Sequence, residues 1–178
     1  MTYIRTKNTK RKNGKICQYL YIVETKRYRK KRVKQKTKKY LGRVHNFDKV
    51  KGVDFYQFLS ITNPEEYLDK TETTEMILDI VKLELIKHGF EQLKGRWVKS
   101  GCFVNLEKRK VVNGKGNNIA LGFNDGFLTG YALKEIINFK VYGSEYGYDF
   151  AKMFVEAGID APKEIFVEVF RKKLERGY

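Results

Sequence analysis

Residues 15–44 read KICQYLYIVETKRYRKKRVKQKTKKYLGRV, and this stretch decides the fold. Two runs rich in β-branched and aromatic residues, 16–25 and 33–44, flank the basic tip KRYRKKR. That arrangement predicts a β-hairpin. Residues 1–44 hold 17 of the chain's 37 Lys and Arg but one, Glu24, of its 21 acids, which leaves 20 of each for residues 45–178. The whole formal charge of +16 therefore sits on the first quarter of the chain. Like charges crowded on one arm repel one another, and a polyanionic partner relieves that repulsion.

Side chains alternate across a strand with period two. Ile16, Gln18, Leu20 and Ile22 are then expected on one face, with Cys17, Tyr19, Tyr21 and Val23 on the other. On the returning strand Arg32, Lys34, Lys36, Lys38 and Tyr40 share a face, opposite Val33, Gln35, Thr37, Lys39 and Leu41. The expectation is an aliphatic face backed by a face of lysines and tyrosines. Lysines two apart recur every ~6.8 Å, close to two nucleotide rises of ~3.4 Å along one strand of a duplex. A two-stranded ribbon also fits a DNA major groove. Lysine on an edge strand guards against aggregation, but one or two would serve that purpose. The expected nucleic-acid contacts are Tyr19, Tyr21, Lys26, Arg27, Arg29, Lys30, Lys31, Arg32, Lys34, Lys36, Lys38, Tyr40 and Arg43. The tyrosines would stack or pack, and Arg27, Arg29 and Arg32 at the tip would reach a groove.

The string Tyr19-Leu20-Tyr21-Ile22-Val23-Glu24, the basic tip, and Lys39-Tyr40-Leu41-Gly42 resemble the N-terminal hairpin of some transposases of mobile elements. The resemblance covers about a quarter of the chain. It implies a DNA-contacting module from a mobile-element or viral setting. The remaining residues are expected to be too few for those enzymes' acidic triad and RNase H-like core.

Beyond the arm, residues 46–70 read as a connector with short helices. Asn63-Pro64-Glu65-Glu66 is a helix start: N-cap, proline at the first position, acids in the first turn. A central helix is expected over 72–88, capped by Thr71 or Thr73 and stopped by Gly89. The period then changes to two. Segments 96–99, 102–106, 110–112 and 119–123 predict a meander, with turns at Asn113-Gly114 and Asn124-Asp125-Gly126. Helices follow over 129–139, 145–157 with Ser144 as cap, and 162–176. On the last one Arg171, Lys172 and Lys173 are expected to answer the negative helix end. Helix, three strands, helix is also the order of the double-stranded-RNA-binding domain. Its second helix would begin with a cationic pair, where this chain has Thr129-Gly130-Tyr131-Ala132.

Several chemistries are missing. Cys17 and Cys102 are too few for a disulfide framework or a four-cysteine zinc site. His45 and His88 have no Cys or carboxylate at ligand spacing and read as surface or helix-end residues. No phosphate-cradling P-loop is present. Asp79, Glu84, Glu107 and Asp125 are the acids to consider for a nuclease's divalent ion; Glu107-Lys108-Arg109-Lys110 resembles the acid-plus-lysine strand of restriction-like nucleases, a match expected by chance among the 20 acids of residues 45–178. Trp97 reads as an anchor of the meander more than as a platform for bases. No run reaches the roughly 20 apolar residues of a membrane span, and no signal peptide is expected, so a cytoplasmic protein is.

The sequence thus predicts an α+β protein: a basic β-hairpin module (1–45), a connector (46–70) and a charge-balanced α+β domain (71–178) with three-stranded meander and C-terminal helices. The expected function is non-catalytic nucleic-acid binding, DNA favoured over RNA, with no cofactor or metal and no membrane partner. The C-terminal domain would act as scaffold, homodimer surface or docking site for a protein. The competing readings are a small metal-dependent nuclease steered by the arm, and an RNA-binding or ribosome-associated protein.

Overall fold

The computed structural model describes residues 2–27 and 33–177. The chain opens with an antiparallel meander of β1 (Thr2–Lys10), β2 (Ile16–Arg27) and β3 (Val33–Asn46). Three helices follow: α1 (Phe55–Phe58), α2 (Pro64–Lys70) and α3 (Thr73–Lys87). A second antiparallel sheet holds β4 (Glu91–Leu93), β5 (Arg96–Lys99), β6 (Cys102–Asn105) and β7 (Lys110–Asn113). Next come β8 (Ile119–Phe123), β9 (Gly126–Leu128), α4 (Gly130–Asn138), a 3-10 turn at Ser144–Tyr146, α5 (Gly147–Glu156) and α6 (Lys163–Arg176). The fold is α+β, and the hairpin forms in the expected place.

The meander differs from expectation in two respects: β4 adds a strand at its start, and its last expected segment lies elsewhere. Segment 119–123 leaves it and, as β8, pairs in parallel with β3, giving a five-stranded sheet of order β1-β2-β3-β8-β9. Gly42 makes that pairing possible. Its φ is +134°, and a Cβ there would lie 2.5 Å from the Asn118 carbonyl oxygen and 2.6 Å from the Ile119 Cα. Only glycine lets the two backbones approach so closely. The basic arm is therefore hydrogen-bonded into the same sheet as the body of the protein.

The main core forms around α3, whose Met76, Ile77, Ile80, Val81, Leu83 and Leu85 are at most 1% exposed. A helix apolar on all sides belongs inside a core, and here the second sheet, β8 and the C-terminal helices surround it. Trp97 is buried in that cluster, as an anchor of the second sheet. A smaller cluster of Leu20, Ile22, Leu41, Val44 and Ala120, with Ile4, Phe127 and Tyr131 against it, fixes the arm to α4.

Local signals set most boundaries. The Asn63 side chain accepts from the Glu66 N–H at 3.2 Å, and the Thr129 hydroxyl from the Ala132 N–H at 3.0 Å. Glu72, with no side-chain cap bond, begins α3 instead of Thr71 or Thr73. Ser144 opens the 3-10 turn, not α5. Lys172 and Lys173 serve helix ends other than their own. Lys172 donates to the Asp69 and Thr71 carbonyls at the end of α2, and Lys173 to those of Ile137 and Phe139 at the end of α4. Each ammonium is buried at the negative end of a helix dipole.

Candidate nucleic-acid interface

Register decides what each face of the arm presents. β2 meets β3 with Tyr19 opposite Arg43, Leu20 opposite Gly42 and Tyr21 opposite Tyr40. Beyond two register shifts, between Leu20 and Tyr21 and between Ile22 and Val23, the partners are Val23–Thr37, Glu24–Lys36, Thr25–Gln35 and Lys26–Lys34. Each shift inserts one extra residue in β3, at Leu41 and at Lys38. Such bulges break simple alternation. Lys34 and Lys36 consequently share a face with Leu20, Ile22 and Lys39, while Tyr40 turns to the opposite face with Tyr21. The expected single face of lysines and tyrosines is corrected to two faces, one for each.

The lysine face carries Lys26, Lys34, Lys36, Lys38 and Lys39, with Glu24 among them. Glu24 pairs with Lys38 at 3.1 Å and Lys26 at 3.8 Å. The Lys38 hydrogen bond, foremost, holds its carboxyl below the usual range. Glu24 pairs with two of these ammonium groups, those of Lys26 and Lys38. Residues 34–40 are exposed throughout, so the positive field faces solvent.

The tyrosine face is built by all three strands. Tyr40 lies 5.3 Å from Tyr21 and 6.3 Å from Tyr19 between ring centroids, within the range of favourable aromatic contact. Burial, then the neighbouring Tyr21 and Tyr19, raises the Tyr40 phenol, while the Arg43 charge opposes the rise. β1 (Thr2–Lys10) adds cations that sequence reading did not assign. Arg5 lies opposite Tyr21 and Lys7 opposite Tyr19. Arg11, in the loop after β1, donates to the Tyr19 hydroxyl at 3.3 Å, and Arg5 donates to Gln35. A pocket of about 390 Å³ opens here among Arg5, Lys7, Tyr21, Val23, Gln35 and Thr37. The signal that would have found these cations was the alternation of Arg5, Lys7 and Thr9 on one parity.

The expected contacts thus divide as follows. Tyr19, Tyr21, Tyr40 and Arg43 come together on one face, and Lys26, Lys34, Lys36 and Lys38 on the other. Arg27 closes β2. Arg29, Lys30, Lys31 and Arg32 lie outside the described residues.

The acids considered for a nuclease are spread apart. Asp79 accepts from the Tyr67 hydroxyl at 2.9 Å and Lys82 at 2.6 Å, while Glu107 and Asp125 are exposed. Glu84 is fully buried and accepts from Asn124 Nδ2 at 2.9 Å and the Asp160 N–H at 3.3 Å. It also meets His88 Nε2 at 3.0 Å. Among the described residues no group of three His, Cys, Asp or Glu side chains is placed to hold a metal ion.

His88 is a helix-end residue, but it is buried, not on the surface. Its Nδ1 donates to the Phe47 carbonyl at 2.8 Å, and its ring stacks on Phe123 at 4.2 Å. It thereby ties the chain leaving β3 to α3. The i, i+4 spacing of Glu84 and His88 was the overlooked signal. No helix among the described residues is long and apolar enough to cross a membrane.

No curated protein and no solved structure matches the chain. One family model does, over residues 4–59, 56 of the 178, a span that contains most of β1, all of β2 and β3, and α1. The segment that builds both charged faces and enters the body through Gly42 is similar to the N-terminal domain of the IS1634 family transposases.

Proposed function

We propose that this chain binds DNA through the β1–β3 meander, in the setting of a mobile element. One observation carries the reading: the segment that matches a transposase N-terminal domain also holds the entire excess positive charge, with Lys34, Lys36, Lys38 and Lys39 exposed along β3. Lys26, Lys34, Lys36 and Lys38 take the phosphates, and each contact releases condensed counterions. Tyr19, Tyr21 and Tyr40, with Arg5, Lys7, Arg11 and Arg43 around them, form a second surface suited to sugar and base contacts. From their place in the sequence alone, Arg27, Arg29 and Arg32 are assigned to groove contacts and Lys30 and Lys31 to phosphates. The division into arm (1–45), connector (46–70) and body (71–178) is functional: the arm binds, and the body holds it through β8 and α4.

The test is a competition titration followed by fluorescence anisotropy. Labelled duplex DNA bound to the full chain is challenged with unlabelled duplex, single-stranded DNA and RNA. Duplex DNA should compete best, and the Lys34→Gln/Lys36→Gln/Lys38→Gln chain should bind all three more weakly. RNA competing tenfold better than duplex would replace this reading with an RNA-binding one.

A further inference from the structure

A cleft of about 330 Å³ lies where β3, the turn before β7 and the start of α4 meet. Lys39, Arg109, Lys110 and Lys134 line it, and no acid does. That imbalance is unusual for this part of the chain, since residues 45–178 hold as many acids as bases. Three of the four cations come from that balanced region, far from the arm in sequence, so folding has gathered them.

The packing that gathers them is specific. Gly130, the first residue of α4, sits where a Cβ would lie 2.7 Å from the Arg109 carbonyl oxygen, so the helix start rests directly on the turn that carries Arg109 and Lys110. That turn is fixed by the Lys108 N–H donating to Asn105 Oδ1 at 2.7 Å and the Arg109 N–H to the Leu106 carbonyl at 3.1 Å. Arg109 itself adopts a φ of +51°. From the other side Lys39 reaches across from β3, its Nζ 4.7 Å from the centre of the Tyr131 ring. The nearest acid on α4, Glu135, bonds the Tyr131 hydroxyl.

The backbone of α4 adds to the field. Its first N–H groups have no intrahelical acceptor. Thr129 takes that of Ala132, and those of Gly130 and Tyr131 lie at the positive end of the helix dipole. Four cationic residues line one cleft that no carboxylate lines, with Arg109 also donating from Nη1 to Asn138 Oδ1 at 3.4 Å; like charges so placed repel one another, and a bound anion offsets that cost. Lys39 and Tyr40 belong both to this cleft and to β3, so the cleft is continuous with the arm.

We propose that the cleft seats a backbone phosphate of the nucleic acid, carrying the contact surface from the arm onto the body. This inference rests on the DNA-binding reading above. A nucleic acid crossing β3 near Tyr40 would then be held on two sides, by the arm and by Arg109, Lys110 and Lys134.

The experiment measures duplex affinity by fluorescence anisotropy from low to high salt. It compares the full chain, a Lys110→Gln/Lys134→Gln variant, the arm variant Lys34→Gln/Lys36→Gln, and a control, Lys94→Gln/Lys163→Gln, at exposed lysines outside the cleft. All replaced side chains are exposed, and circular dichroism verifies folding. Losing the one seated phosphate should flatten the slope of log K against log[salt] by about 0.9 in the cleft variant, with the control unchanged. A cleft variant that matches the control while the arm variant loses slope overturns the inference and leaves DNA binding standing. If the unaltered full chain fails to bind, both fall. A parallel melt with millimolar inorganic phosphate separates the sources. Stabilisation lost in the cleft variant without any change in its DNA slope would make this a free-phosphate site and overturn the backbone assignment.

Discussion

Replacing Glu84 by alanine should destabilise the protein more than any exposed charge change. Glu84 is completely buried and meets four groups: His88 Nε2 at 3.0 Å, Asn124 Nδ2 at 2.9 Å, the Asp160 N–H at 3.3 Å and Lys87 Nζ at 3.7 Å. His88 Nδ1 must donate to the Phe47 carbonyl, because a carbonyl only accepts, so the His88–Glu84 contact needs its own proton. Alanine removes the acceptor and leaves buried donors without partners. Removing one member of a buried ionic pair costs about 3–5 kcal/mol. For a chain of this size each kcal/mol lowers Tm by roughly 2–4 °C, so the fall should be roughly 6–20 °C. Urea unfolding followed by the fluorescence of Trp97, the sole tryptophan and buried in the same core, measures the difference directly. Glu66→Ala serves as the control. Its pair with Lys70 spans 2.7 Å but is 53% and 71% exposed, so about 0.5 kcal/mol or less is expected. A Glu84→Ala loss as small as that of Glu66→Ala would refute the claim that this network joins β3 to α3 and the 124 and 158 turns.

Gly42→Ala meets both an unfavourable φ and the backbone of β8. It should cost about 2–4 kcal/mol by urea titration, with Gly14→Ala, in open space, as a comparison expected to lose less. Tyr40→Ala should weaken single-stranded DNA binding by about 1–3 kcal/mol if bases stack on this face, whereas Tyr40→Phe should retain most of it; equal losses would assign the effect to the hydroxyl. Burial, and secondarily the Arg43 charge, hold the His45 imidazole below its ordinary value. A base depressed in the folded state favours folding while neutral, so stability should fall as pH drops below about 6.5 toward the folded value. His45→Gln should flatten that part of the pH–stability curve, and an unchanged curve would count against the assignment.

Much of the architecture was legible because local signals agreed with the final packing. Asn63-Pro64 starts α2 and Gly89 stops α3 where the residues themselves require it, and the apolar surround of α3 foretold a core helix. Two features were not legible. The bulges at Lys38 and Leu41 move Tyr40 away from Lys34 and Lys36, and nothing in a period-two reading locates an inserted residue. The parallel pairing of β3 with β8 joins residues 76 positions apart, as Arg43 with Ile119, and only Gly42 hinted at it. The same limit hid the cleft, since Arg109 and Lys110 stand far from Lys134 in sequence and only the packing at Gly130 brings their segments together.

The central claim is that the arm's exposed cations bind DNA by displacing counterions. Its most direct test is the slope of log K against log[salt] for duplex DNA, measured on the full chain and on the Lys34→Gln/Lys36→Gln/Lys38→Gln variant. The account predicts a steep negative slope for the full chain, flattened by about 2.7 in the variant if each lysine holds one phosphate at about 0.9 apiece. Identical slopes for the two proteins, or a full chain whose affinity ignores salt, would contradict it.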